Sequence, residues 1–279
     1  MNLSLSEQLA YSTIRIECTY KDGTFGTGTG FFLKFREDKN NGTSIPTVIT
    51  NNHVIDGAKE GKLVFTRASD SNKPLDTEHI SVSLSNFESL WRKHSDPEVD
   101  LCAMPIAPFL REAAKQKLKP FYISLDKSLI PSVEQLASLS ALEEILMIGY
   151  PNGIWDSINN KPIFRKGITA THPNFDYEGK KEFLIDAACF PGSSGSPVFI
   201  YNQGGYMDKK GNTYMGASRI FLMGILYSGP QHTANGEIKI INISTAEKPV
   251  AISRIPNNLG NIIKSERILE LEELFNENA

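Results

Sequence analysis

Ala187-Ala188-Cys189-Phe190-Pro191-Gly192-Ser193-Ser194-Gly195-Ser196-Pro197-Val198 is the stretch on which the reading of this chain turns. Two serines sit between glycines on a tight turn that runs into an apolar strand, 197–201. Such a turn can project one hydroxyl outward while successive backbone N–H groups converge, the geometry that a nucleophile and the stabilisation of an oxyanion both require. An ordinary Gly/Ser surface turn would explain the stretch equally well in isolation, so the remainder of the chain has to decide.

A hydroxyl is nearly inert at neutral pH unless a base takes its proton, and that base needs a carboxylate to fix its tautomer and stabilise its charged form. Both residue types lie upstream. A histidine follows an apolar-alternating strand in Thr47-Val48-Ile49-Thr50-Asn51-Asn52-His53-Val54-Ile55, and an aspartate opens another in Glu98-Val99-Asp100-Leu101-Cys102-Ala103-Met104. His94 competes as the base, but it follows Arg92-Lys93 in a loop and lacks the strand lead-in of His53. Asp56 is only three residues from His53, and Asp96 precedes Pro97 in a turn, so Asp100 is preferred. Cys189 has apolar neighbours and no base nearby in sequence, which makes it a buried structural thiol; Cys18 and Cys102 alternate with apolar residues and read as core. His79, His94, His172 and His232 have no partner at metal-ligand spacing, and no metal or organic cofactor is expected.

Working outward, the dominant apolar period is two, as in Ile14, Ile16, Cys18, Tyr20 and in Ile80, Val82, Leu84. Further strands are expected at 29–35, 47–54, 62–68, 99–106, 144–150, 182–188, 197–201, 220–229 and 237–243. Many short strands with Gly, Pro and Asn punctuation mean an antiparallel barrel or sandwich. Helical pattern appears in a short N-terminal piece at 6–11, around 109–119, and in a C-terminal segment, 258–276, where Leu259, Ile262, Ile263, Leu269 and Leu274 recur near helical spacing. That last segment is expected to pack as a lid. Its acidic residues, Glu266, Glu270, Glu272, Glu273 and Glu277, read as a solvated face. Polar stretches 36–44 and 202–216 read as hairpin loops, and 108–120 as the bridge between two strand-rich halves.

The chain has 279 residues, 40% apolar and 22% charged, with 29 basic against 32 acidic residues for a net charge of −3. This is a globular composition with material for a sizeable core, which rules out global disorder and collagen-like or coiled-coil architectures. Interspersed charge offers no field to gather a polyanion, so neither nucleic acid nor an anionic membrane is the expected partner. Three cysteines form no CxxC pair, arguing against a disulfide framework. With no secretory leader and no long apolar run visible, a soluble cytoplasmic protein is expected.

Together with the Gly-rich strand opening Gly26-Thr27-Gly28-Thr29-Gly30-Phe31-Phe32, these segments resemble the trypsin/chymotrypsin-like serine peptidases, above all the compact bacterial HtrA-type and stand-alone trypsin-like peptidase domains. The GTGTG run is not a dinucleotide fingerprint, because it lacks the G-x-G-x-x-G spacing and leads into a strand. The resemblance spans most of 10–260 and implies an all-β fold of two antiparallel six-stranded barrels, with the site between them and a C-terminal helix. It implies an N-terminal barrel at 1–110 carrying the histidine and aspartate, and a C-terminal barrel at 111–279 carrying the serine.

By this match Ser194 is the nucleophile, His53 the general base and then acid, Asp100 the orienting carboxylate, and the N–H groups of Gly192 and Ser194 the oxyanion hole. Where the family usually has Gly-Gly-Pro after the nucleophile, this chain has Gly195-Ser196-Pro197, a Cβ expected to crowd the turn. The pocket walls fall on Ala188, Cys189, Phe190, Leu226, Tyr227 and Ser228. With no carboxylate at Ala188, a small or medium apolar side chain is the expected residue before the scissile bond. The implied activity is a serine endopeptidase acting on protein or peptide substrates, switched on by a regulatory protein partner. The alternative is a catalytically latent, protease-like binding module.

Overall fold

The computed structural model describes residues 3–38, 40–229, 231–237 and 250–276. The first half is one antiparallel sheet built from β1 (Thr13–Tyr20), β2 (Phe25–Asp38), β3 (Thr43–Thr50), β4 (Ala58–Ala68), β5 (Pro74–Ser85), β6 (Arg92–Lys93), β7 (Cys102–Pro105) and β8 (Pro120–Phe121). Their order is β5-β4-β1-β2-β3-β7-β6, with β8 on β4. Six of the eight are longer strands, while β6 and β8 are two-residue pieces. The sheet curls around a core that includes Ile16, Phe32, Val48, Leu63, Phe65, Phe87 and Cys102. It draws β8 from beyond residue 110, because Pro120 and Phe121 pair with Arg67 and Thr66.

The second half is a closed barrel of β9 (Glu144–Gly149), β10 (Ile163–Thr169), β11 (Glu182–Asp186), β12 (Pro197–Asn202), β15 (Arg219–Ser228) and β18 (Leu259–Lys264), ordered β10-β11-β18-β15-β12-β9. Two hairpins stand outside it, β13 (Gly205–Met207) with β14 (Thr213–Met215) and β16 (Gln231–Glu237) with β17 (Val250–Pro256). The strand expected at 237–243 lies, apart from Glu237, outside the described residues.

The helices are α1 (Leu5–Ala10), α2 (Asn52–Ile55), α3 (Ala107–Lys115), α4 (Val133–Ala137) and α5 (Ser265–Glu270), the last running into a 3₁₀ turn over Leu271–Phe275. None is long and apolar enough to cross a membrane among the described residues. The C-terminal segment corrects the expectation of a helix from 258. Leu259–Lys264 is a strand, paired on one side with β11 and on the other with β15. Gly260 and the β-branched Ile262 and Ile263 are poor helix formers, and the barrel needs a strand there to close. Helix begins only at Ser265.

A further core spans the two halves. Phe31, Leu33, Phe35, Ile49 and Leu101 from the first meet Ile148, Phe199, Leu222, Ile225 and Ile263 from the second, with Ile268, Leu271 and Phe275 from the C-terminal segment. Full burial of each such side chain is worth about 1.5–3 kcal/mol, so the seam is continuous core. The C-terminal segment therefore clamps the halves together: Phe275 stacks on Phe35 at 5.6 Å, and Glu272 accepts hydrogen bonds at 2.8 Å from Lys127.

Candidate active site

His53 does not lie in a strand, as the pattern 47–54 suggested. β3 ends at Thr50, and His53 sits in the one-turn helix α2 that follows. That helix rests on β2 where Gly28 has no Cβ; a methyl there would overlap Val54. Asp100 likewise precedes β7, in a tight turn where the Leu101 N–H donates to the Val99 carbonyl at 2.8 Å.

Two adjacent asparagines fix this loop. Asn51 Nδ2 donates to the Asp100 carbonyl at 2.8 Å, and Asn52 Nδ2 to the Val99 carbonyl at 3.2 Å. The Asp100 carboxylate then meets His53 twice, accepting from its backbone N–H at 3.0 Å and lying 2.5 Å from Nδ1. A carboxylate on Nδ1 selects the tautomer with its lone pair on Nε2, the form able to take a proton. The ring stays about half exposed, with 48% of the side-chain surface open.

The competing residues are engaged elsewhere. Asp56 pairs with Lys93 at 2.7 Å, Asp96 with Arg267 at 2.6 Å, and the buried His94 faces Glu270 at 3.2 Å. The three cysteines are free and buried, and burial pushes the Cys189 thiol up to about 11 and that of Cys18 up to about 12. Such thiols stay protonated and unreactive at neutral pH.

The serine turn crosses from β11 to β12. Gly192 and Gly195 adopt φ of +84° and +87°, which L side chains rarely do. A Cβ on Gly192 would stand 2.7 Å from the Tyr150 carbonyl, and one on Gly195 would overlap the Thr29 carbonyl. Among the described residues the N–H groups of Gly192 and Ser194 donate to no protein acceptor, whereas those of Ser193, Gly195 and Ser196 bond to Phe190, Leu226 and Ser193. Ser194 Oγ donates to the Tyr227 carbonyl at 3.4 Å. The crowding expected at Ser196 is relieved across the ladder, because Gly149 leaves open the space that a Cβ would share with Ser196 Oγ.

The expected pocket residues gather beside this turn. Cys189 Sγ would stand 2.7 Å from a Cβ at Gly260, which places that glycine in the same wall. Tyr227 donates its hydroxyl to Glu182 at 2.8 Å, and burial followed by this bond pushes its pKa up to about 12. Ser228 Oγ accepts from Asn261 at 2.8 Å, and Leu226 is buried. Arg165 donates to the Ala188 carbonyl at 2.8 Å with its guanidinium over the Phe190 ring at 4.9 Å, a cation that the sequence reading did not place here. Arg165 lies in β10, a strand that the sequence reading did not mark.

A family model described as the trypsin-like peptidase domain matches residues 28–206. The chain belongs to the trypsin-like peptidase family. Comparison with curated proteins gives no match. Among solved structures, the HtrA-type protease AlgW with a tripeptide is similar at 18% identity and a TM-score of 0.49, over 96% of this chain and 61% of that one. A serine endoprotease from Yersinia pestis is similar at 14% identity and a TM-score of 0.47, over 98% and 67% of the two chains. The active form of a protease from M. tuberculosis follows at 14% identity and a TM-score of 0.43, over 93% and 78%. The chain thus spans about three fifths of the length of the first of these.

Proposed function

We propose that the protein is a serine endopeptidase in which Ser194 attacks the scissile carbonyl, His53 takes and returns its proton, and Asp100 holds the imidazole. The observation that carries this reading is the pair of contacts from Asp100 to His53, 2.5 Å to the ring and 3.0 Å to the backbone N–H, which hold the imidazole in the tautomer whose Nε2 can take a proton. The unengaged N–H groups of Gly192 and Ser194 support an oxyanion hole, where donors are most effective when already aimed at the developing charge. Attack forms the Ser194 ester and expels the amine protonated by His53; water, deprotonated by the same ring, then releases the acid and restores the serine.

Protein or peptide substrates with a small or medium apolar residue before the cleaved bond fit best. Ala188 brings no carboxylate to the pocket, and the Arg165 guanidinium beside Phe190 repels a basic side chain. Free buried thiols fit a reducing compartment such as the cytosol. A partner-gated or latent form is the second reading, favoured by the Ser194 hydroxyl resting on the Tyr227 carbonyl at 3.4 Å.

The test is hydrolysis of a quenched-fluorescence peptide library by the purified protein. Expected is cleavage that Ser194→Ala and His53→Ala each reduce by about 10⁴-fold or more with the fold intact. Equal cleavage by parent and Ser194→Ala would refute the assignment.

A further inference from the structure

Resting on the reading of Gly192 and Ser194 as the oxyanion hole, we infer that Thr29 is a positioning residue that sets the hole from the opposite half of the molecule. Four consecutive carbonyls of the serine turn are held. The Asn152 N–H donates to Pro191 at 2.6 Å, Thr29 Oγ1 to Gly192 at 3.0 Å, the Ser196 N–H to Ser193 at 3.0 Å, and the Thr29 N–H to Ser194 at 2.9 Å. In a trans peptide the N–H points opposite to the carbonyl of the same unit, so holding each carbonyl fixes the direction of the next N–H. Thr29 holds two of the four units, one on each side of the unit that carries the Ser194 N–H.

The hydroxyl has no freedom to do otherwise. Thr29 is fully buried, and its oxygen already accepts from the Tyr150 N–H at 3.0 Å, which directs its single proton to Gly192. The Thr29 carbonyl in turn accepts from Thr50 Oγ1 at 2.7 Å, at the end of the strand that leads into His53. One residue of β2 thereby ties the strand that leads into His53, the start of the 151–153 turn and the serine turn into one network. The sequence reading touched Thr29 only as part of a Gly-rich opening. Thr27 and Thr29 both stand between glycines there, and only the burial of Thr29 in the fold separates them.

Thr29→Val keeps the shape and removes the hydroxyl, leaving the Gly192 carbonyl and Tyr150 N–H without that partner; Thr29→Ser restores it. With a cleaved peptide, Thr29→Val is expected to lower kcat about 10²-fold and move KM less than about threefold, the pattern of a lost transition-state interaction, while Thr29→Ser stays within about threefold of the parent. Amide hydrogen exchange at Ser193 and Ser196, recorded on the same samples, should quicken about tenfold in the valine variant alone. Thr29→Ala replaces the valine variant if that one fails to fold. Overturning results are a folded valine or alanine variant with parental kcat and exchange, a lower thermal midpoint with parental kcat, or a serine variant that restores nothing. If the parent itself is inert, the peptidase reading falls, and exchange alone then decides whether Thr29 sets the turn.

Discussion

The two parts of the candidate site are built in opposite ways. The proposed base and its carboxylate are assembled inside the first half: Asn51, Asn52, His53 and Asp100 hold one another across neighbouring strands, with Asn51 buried and His53 and Asp100 partly open to solvent. The serine turn, with Ser193, Gly195 and Ser196 buried and Gly192 and Ser194 partly open, is held from both halves, by Asn152 and Leu226 of the second and by Thr29 of the first. In the proposed mechanism proton transfer needs a ring that can meet substrate and water, and support at one edge alone suits that task. In the proposed mechanism oxyanion stabilisation needs donors that do not move when charge develops, and the restraint of the turn on several sides suits that task. Errors in the first part should therefore appear as lost alignment of a base, and errors in the second as lost stability together with lost rate.

Substitutions can break that contrast. The largest effect is expected from Asp100→Asn, which leaves the imidazole in the wrong tautomer and should lower kcat by about 10⁴-fold with little change in thermal stability. A stability loss comparable to that of a core substitution would show the first part to be structural. Next comes Gly149→Ala, whose new Cβ would overlap Ser196 Oγ and lie 2.7 Å from Thr29 Oγ1. It should cost about 2 kcal/mol of unfolding free energy by overpacking and lower kcat as well, and Ser196→Gly in the same chain should return part of both. Strict additivity in denaturant titrations would contradict the proposed contact.

Smaller effects sharpen the contrast. Asn51→Ala removes the donor to the Asp100 carbonyl and should reduce kcat about tenfold, the scale of one buried hydrogen bond, with the fluorophosphonate reaction slowed in proportion. Smallest is Asp126→Asn, on the connection between the halves. The Ser128 backbone N–H, with Lys34 nearby, holds the Asp126 carboxyl down at about 2 from its usual 3.8. A depressed folded pKa gives stability that is full above the unfolded value and is lost as pH falls through the folded one. The gap in unfolding midpoint between parent and variant should therefore be constant above pH about 4 and close between about 4 and 2, with kcat unchanged. A gap that widens on acidification would have the wrong sign.

Much of this was legible in the sequence because strand alternation and chemistry coincide at few places. Thr47–Ile55, Glu98–Met104 and Ala187–Val198 each join an apolar run to a reactive residue type, and His53 and Asp100 lie in contact in the fold. The exact elements were less legible. Alternation continues past Thr50 in composition, yet the backbone turns helical and sets Val54 against Gly28, which only tertiary contact decides. Ile262 and Ile263 fit a helical stripe as well as a strand, and closure of the barrel selects the strand. Thr29 and Arg165 act through partners more than a hundred and about twenty residues away, respectively, separations that no local pattern reveals.

The most direct test of the central claim, a serine activated across two halves of one fold, is reaction of the purified protein with a fluorophosphonate, read by intact mass and peptide mapping. The account predicts one adduct per chain, on Ser194, abolished by Ser194→Ala and by His53→Ala. An unreacted folded protein, or an adduct on any other residue, would contradict it.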